Sequence, residues 1–224
     1  MLEVLQLDVD QVHIWTVSFD LPDDLVANLI KLLSAEEKKK ADRFKFPHLK
    51  RQYTVFHATL RKMLAYYLGV NEKKIAFTRG TYGKPAVSED INHLNIQFSM
   101  SKSSESGVYA FMIGNEIGID IEKINQLPDM VNIVKRHFTT DENHIFENMQ
   151  DKEKLGWFYT VWTRKEALLK AIGTGLYVPL ENIDVANIKN IKINSKLFDK
   201  HVSSLYLSDL QMITGFRSAI CMYN

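Results

Sequence analysis

The chain has 224 residues, 46% of them hydrophobic and 25% charged, and its formal net charge is +1. This composition is ordinary for a globular domain, and so small a net charge favours neither nucleic acid nor a membrane surface as a partner. The single cysteine, Cys221, excludes an internal disulfide framework, and the first residues lack the basic stretch of a signal peptide, so we expect a cytoplasmic protein. We also expect a monomer.

The first half of the chain shows helical and then extended patterns. In chain order the sequence predicts a strand, three helices, a strand that leads into a turn, and three further strands, at residues 12–19, 22–33, 35–44, 47–69, 74–87, 93–100, 107–113 and 118–124. Ser34 and Glu37 have the spacing of a capping box at the start of the second helix, and Gly69 stands where the third helix should end. The short turn between the last two strands predicts that they pair as a hairpin.

The second half begins another helical cycle. Helices are predicted at residues 128–138 and 153–172, and late strands within residues 203–223. Thr139 and Glu142 repeat the capping-box spacing. Each half therefore contains a capped polar helix, a long helix that ends near a glycine, and strands, which is a weak indication of an internal repeat.

Two carboxylates interrupt the apolar strand IGIDIEKI. Successive side chains of a strand point to opposite faces, so the isoleucines line one face and Gly118, Asp120 and Glu122 line the other. Like charges this close repel each other unless water or a cation lies between them. The strand therefore has two interpretations, a solvated face of a sheet or a cation site.

The long second-half helix carries a further charged group within an apolar stripe. Lys165 and Glu166 break the stripe, and Glu166 shares a helix face with Trp162 and Lys170. Taken alone, Glu166 and Lys170 are typical of a surface ion pair. Taken with the two acids of the strand, Glu166 completes a set of three carboxylates, and a ligand set made only of oxygens favours Mg²⁺ over zinc.

Basic residues occur where a phosphate-rich ligand can use them. Lys84 lies in the glycine-containing turn YGKP, and Ser101 and Lys102 lie at the end of a strand in SMSKSS. A further basic group occupies the first half, at Lys38, Lys39, Lys40, Arg43, Lys50 and Arg51. A run of this kind is also typical of a solvated helix face.

The motifs GIDIE and WTRKEALLKAIGTGL, with YGKP upstream, resemble those of the 4′-phosphopantetheinyl transferases of the Sfp type. The resemblance extends over nearly the whole chain. It implies an α+β fold, similar to an α/β sandwich, in which two similar subdomains are related by a pseudo-twofold axis. The subdomains would comprise residues 1–114 and 115–224, with the active site in the cleft between them.

The resemblance also implies a reaction. The 4′-phosphopantetheine arm of coenzyme A would be transferred to a serine of an apo acyl or peptidyl carrier protein, with release of 3′,5′-ADP and with Mg²⁺ as cofactor. Asp120, Glu122 and Glu166 would hold the magnesium ion. Glu166 would also act as the base, and Lys170 would stabilise the diphosphate and the leaving group.

Further residues are assigned to coenzyme A binding through the same resemblance. These are Lys40, Arg51, Lys84, Ser101, Lys102, Lys165 and Trp162. Lys40 would lie near the 3′-phosphate, Lys165 and Trp162 would frame the site, and Arg51 would compensate for Gln52. The partner carrier protein is expected to dock on the segment KINQLPDMVNIVKRHF.

The chain departs from the family pattern at four positions. Ser99 and Lys102 stand where the family usually has asparagine and histidine, and Gln52 and Glu37 stand where basic residues are common. These departures leave open a non-catalytic protein that binds coenzyme A or a carrier protein. Without the resemblance, the three carboxylates also fit a magnesium-dependent phosphoester hydrolase.

Overall fold

The fold is known from a computed structural model, which describes residues 6–193 and 205–223. The helices in these ranges are α1 Asp23–Ile30, α2 Ala35–Asp42, α3 Pro47–Leu68, α4 Met130–His137, α5 Thr140–Asn148 and α6 Asp151–Ile172. The strands are β1 His13–Ser18, β2 Phe77–Arg79, β3 Pro85–Val87, β4 Ile96–Ser103, β5 Ser106–Ile113, β6 Glu116–Lys123, β7 Ile183–Asp184, β8 Lys192–Ile193, β9 Leu205–Leu210 and β10 Phe216–Tyr223. The mixed α+β fold predicted from the sequence is confirmed.

Each half is built on a three-stranded antiparallel sheet and one long helix. The sheet orders are β1-β5-β4 and β6-β10-β9, with two small ribbons, β2-β3 and β7-β8. Helices α3 and α6 each have 22 residues and end at a left-handed glycine, Gly69 in the first half and Gly173 in the second. The predicted stop at Gly69 is therefore confirmed, as are the capping boxes that begin α2 and α5.

The predicted hairpin of β5 and β6 is wrong. Strand β5 pairs with β1 along one edge and with β4 along the other, so it has no edge left for β6. Strand β6 instead pairs with β10 in the second sheet. The strand and turn predicted at 74–87 are present as β2 and the turn after it, and a second strand, β3, follows the turn. Ser203 and Ser204 of the predicted tail lie outside the described residues.

The two sheets share a core. Aliphatic side chains of β5 and β6 meet those of β10 there, among them Val108, Ile119 and Ile220. The proposed subdomain boundary after residue 114 falls in the turn between β5 and β6, and it stays a prediction. Within residues 6–193 and 205–223, no helix combines the length and apolar character that a membrane crossing requires.

Gly118 brings β6 directly against α6. A Cβ atom built on this residue would lie 2.0 Å from the carbonyl oxygen of Ala167 and 2.3 Å from the amide nitrogen of Ala171. Only glycine allows this approach, because it leaves no side chain between the two backbones. The approach sets Asp120 and Glu122, on the same face of β6, opposite the Glu166–Lys170 turn of α6.

Candidate active site

Asp120 lies at the centre of the candidate site, and its two oxygens have different surroundings. The residue is 3% exposed. Its Oδ1 accepts hydrogen bonds from the Ser101 hydroxyl and from the Lys170 ammonium, both at 2.6 Å. Its Oδ2 is buried and has no hydrogen-bond partner in the described part of the chain. An unpaired buried carboxylate oxygen is costly, so this atom is suited to bind a ligand.

Glu122 and Glu166 share the electrostatic environment of Asp120. Burial raises the pKa of Glu166, and the negative charges of Asp120 and Glu122 raise it further while Lys170 lowers it. Burial also raises the pKa of Glu122, against the hydrogen bond from Ser103, and Asp120 adds to the rise. These three carboxylates, with Lys170, are called the acid cluster below. The cost of their mutual repulsion is what a bound cation would relieve.

The acid cluster does not form a ready-made metal centre. Among the residues with described positions, no three His, Cys, Asp or Glu side chains are arranged to hold a metal ion. The donor chemistry nevertheless fits a hard cation, because every donor is a carboxylate oxygen and one of them, Asp120 Oδ2, is buried without a partner. The residues present therefore fit Mg²⁺ better than a metal that prefers nitrogen or sulfur.

A cavity of about 260 Å³ adjoins the acid cluster at Lys170. Its wall includes the YGKP turn, with Tyr82 and Lys84, and the side of β4 at Phe98 and Met100. The Lys84 ammonium donates to Glu116 Oε2 at 2.7 Å and to two backbone carbonyls, of residues 117 and 171. Lys84 therefore holds the two halves together at the edge of this cavity, in addition to supplying positive charge there.

Two lysines, Lys40 and Lys102, lie near His57 on α3, and the three residues are called the His57 group below. Burial lowers the pKa of His57 to about 4, and the positive charges of Lys40 and Lys102 lower it further although Glu37 opposes them. The Lys40 ammonium lies 5.4 Å from the centre of the Tyr53 ring. Lys40 and Lys102, which are far apart in the sequence, are thus both near His57, and both are exposed.

Two of the predicted residues, Lys165 and Arg51, are engaged elsewhere. The Lys165 ammonium is fully buried and contacts Glu142 and two backbone carbonyls, which uses all three of its protons. Arg51 donates to the carbonyl of Phe19 and to Asp23. Lys165 therefore has no proton left for coenzyme A, whereas the role of Arg51 stays a prediction.

Trp162 lies one helical turn from Glu166 and packs against α4 and the second-half core. Its ring stacks on Phe158, with 5.9 Å between ring centres, and meets the edge of His137. The indole therefore contributes to the packing of α6 beside the acid cluster.

The serines of β4 form hydrogen bonds to β6 that the sequence did not reveal. Ser101 and Ser103 donate to Asp120 and Glu122, whereas Ser99 accepts a hydrogen bond from the amide of Ile119. Their alternation along the strand was the available signal, because it predicts one polar face. The strand that this face meets could be identified only from the tertiary structure.

Comparison with known proteins gives consistent similarities. Residues 116–221 match a family model described as the 4′-phosphopantetheinyl transferase superfamily, and residues 22–116 match one described as 4′-phosphopantetheinyl transferase, N-terminal. The chain is 34% identical over 182 residues to the 4′-phosphopantetheinyl transferase HetI of Nostoc sp., covering 81% of this chain and 76% of that protein.

Two further similarities are more distant. The chain is 27% identical over 192 residues to the 4′-phosphopantetheinyl transferase Sfp of Bacillus subtilis, covering 86% of this chain and 83% of that protein. A crystal structure of the holo-[acyl-carrier-protein] synthase of Thermotoga maritima aligns with a TM-score of 0.40 at 17% identity, covering 48% of this chain and 62% of that chain.

Proposed function

The chain belongs to the 4′-phosphopantetheinyl transferase superfamily, and from this we propose that its cleft transfers the 4′-phosphopantetheine arm of coenzyme A to a serine of an apo carrier protein. The assignment of the site depends on one observation, which is that the two carboxylate oxygens of Asp120 have different surroundings. One oxygen is held by Ser101 and Lys170, and the other is buried and unpaired beside two further carboxylates. That arrangement is suited to hold a cation against a diphosphate.

The proposed reaction needs a base and a neutralised diphosphate. Glu166 takes the proton of the carrier serine, either directly or through a water molecule, and its raised pKa favours this role. The serine oxygen forms a bond to the β-phosphorus of coenzyme A, the bond from that phosphorus to the bridging oxygen breaks, and 3′,5′-ADP leaves. Lys170 lies beside Asp120 and balances negative charge on the leaving group.

Asp120, Glu122 and Glu166 are the residues that would hold Mg²⁺. When bound, the ion would neutralise both the carboxylates and the diphosphate oxygens. The unpaired Oδ2 of Asp120 supports this assignment from the structure itself.

Coenzyme A is proposed to occupy the cavity at Lys170 and to extend toward the His57 group. Lys40 and Lys102 supply exposed positive charge near His57 for the phosphates. Lys102 stands where the family usually has histidine, and its fixed charge is suited to the same contact. Ser99, in the position of the usual asparagine, keeps a structural hydrogen bond to the amide of Ile119.

The carrier protein is proposed to dock on α4, beside the cleft. Lys135 and Arg136 are exposed there, and Val131 is 49% exposed, whereas Val134 is buried in the second-half core. An acidic carrier surface would meet the two cations around a small apolar contact. We also propose a cytoplasmic monomer, because a single chain supplies every residue of the site and its lone cysteine is a buried free thiol.

One experiment separates this function from the alternatives. The protein is incubated with Mg²⁺, coenzyme A and a panel of apo-carrier proteins, and the intact mass of each carrier is measured. The gain of one phosphopantetheine arm is expected, and Asp120→Asn should reduce the rate by at least about 100-fold. Coenzyme A binding without a mass gain on any carrier would favour a binding protein, and cleaved coenzyme A without a carrier would favour a hydrolase.

A further inference from the structure

Three serines at alternate positions of β4 face β6 across the junction of the two halves. Ser99 accepts from the amide of Ile119 at 3.0 Å, Ser101 donates to Asp120 at 2.6 Å, and Ser103 donates to Glu122 at 2.7 Å. The acids therefore come from the second half, while the hydroxyls that contact them come from the first.

The hydrogen-bond directions of Ser103 are fixed. Its oxygen accepts from the backbone amide of Lys123 at 3.1 Å. Because a hydroxyl has only one proton, that contact leaves the proton for Oε2 of Glu122. Ser103 thus occupies one oxygen of the glutamate and leaves Oε1 for another ligand.

In Asp120 too, one carboxylate oxygen is hydrogen-bonded and the other is left for a ligand, and here the difference is larger. The Ser101 hydroxyl and the Lys170 ammonium both contact Oδ1, and Oδ2 lies buried with no hydrogen-bond partner among the residues described. A carboxylate held by two donors on one oxygen has a fixed orientation. The direction in which Oδ2 faces is therefore set by β4 and α6 together.

We propose that Ser101 and Ser103 are positioning residues that select the cation-binding oxygens of the acid cluster, Oδ2 of Asp120 and Oε1 of Glu122. This inference rests on the magnesium assignment of the proposed function. It makes cation affinity depend on the alignment of β4 against β6, and hence on the contact between the halves. Hydrogen bonds to ligands of a metal commonly change its affinity by about 10- to 100-fold.

Manganese binding tests this without any turnover. Mn²⁺ is titrated into the intact protein, with and without coenzyme A, and free Mn²⁺ is measured by electron paramagnetic resonance. Ser101→Ala and Ser103→Ala should each weaken binding by about tenfold, and Ser103→Thr, which keeps the hydroxyl, should restore it to within about threefold. Ser218→Ala is the matched control, because this strand serine donates only to the carbonyl of Leu210.

The outcomes distinguish this inference from the proposed function. Unchanged Mn²⁺ affinity in both alanine variants, or an equal loss in Ser218→Ala, would overturn the positioning role. Wild-type protein that binds no Mn²⁺ even with coenzyme A would overturn the magnesium assignment and the inference together. If Mn²⁺ affinity falls as expected but no carrier in the panel gains an arm, the positioning role stands and the transfer function fails. The Ser103→Thr rescue separates hydroxyl loss from general damage to the fold.

Discussion

Lys165 and Glu142 form an ion pair that is completely buried, with 2.6 Å between Nζ and Oε2 and both side chains 0% exposed. Glu142 also accepts from the amides of Thr139 and Val185. The pair therefore connects α5, α6 and the segment around β7. Because Lys165 directly precedes Glu166, this connection also fixes the turn of α6 that carries the proposed base.

Removing one member of this pair should leave a buried charge without its partner. We expect Lys165→Met to lower the free energy of unfolding by about 3–5 kcal/mol, measured by urea denaturation. Lys170→Met is the comparison within the same helix. Lys170 is 28% exposed, so this variant should lose less stability while losing transfer activity. Full stability of Lys165→Met together with a raised KM for coenzyme A would instead support the ligand-binding role expected from the resemblance.

Gly118→Ala should separate β6 from α6. The added Cβ would overlap the carbonyl oxygen of Ala167, which cannot move without displacing the helix. We expect a loss of several kcal/mol in unfolding free energy and a drop in kcat, because the acids of β6 would shift relative to Glu166. Gly80→Ala, where the new Cβ would lie 3.7 Å from its nearest neighbour, is the control. Equal stability of the two variants would contradict the close approach.

Burial of neutral His57 should lower the free energy of unfolding as the pH falls. Its folded pKa is lowered to about 4 by burial, whereas the unfolded chain titrates near 6.5. Between these values the unfolded state binds a proton that the folded state does not, so stability decreases as the pH falls through this window. The contribution between pH 7 and pH 5 is about 2 kcal/mol.

The measurement is urea unfolding of the free enzyme at both pH values. His57→Gln should lose about 2 kcal/mol less than the wild type over this interval. His93→Gln, which changes an exposed histidine, is the matched control. Parallel losses in wild type and His57→Gln would show that His57 is not held neutral by the fold.

Lys40 and Lys102 should contribute to coenzyme A affinity and not to the chemical step. We expect Lys40→Ala and Lys102→Ala to raise the KM for coenzyme A with little change in kcat, and Lys102→His to be tolerated. The effect should diminish as salt increases, because exposed charges are screened over about 8 Å at physiological ionic strength. Lys39→Ala, on the same helix as Lys40, is the control, and an equal effect there would point to general surface charge.

Charge reversal on α4 should affect only the carrier. Lys135→Glu combined with Arg136→Glu should raise the KM for an acidic carrier, and the KM for coenzyme A should stay unchanged. The exposed pair Lys73→Glu and Lys74→Glu, in the first half, provides a matched change in net charge. An unchanged carrier KM at low salt would place the docking surface elsewhere.

Local patterns predicted local structure well. Short spacings were enough to predict both capping boxes, the glycine that ends α3, and the position of Asp120 and Glu122 on one face of β6. Helix caps and strand alternation depend only on neighbouring residues. The pairing of β6 could not be predicted in this way, because a tight turn between two strands normally indicates a hairpin. Only the tertiary structure shows that both edges of β5 are already paired. Lys165 stands in a motif of charged residues, but its buried partner Glu142 comes from another helix.

Lys84 has a consequence for the cooperativity of the molecule. It belongs to a turn of the first half, yet its ammonium donates to the carbonyl of Ala171, in the last turn of α6, and to that of Ile117 in β6. A cation at the end of a helix stabilises the helix dipole, so the second half draws part of its helix stability from the first. Since the two sheets also share a core, neither half has a complete interior alone, and partial unfolding of one removes support from the other. The two halves are therefore expected to unfold together.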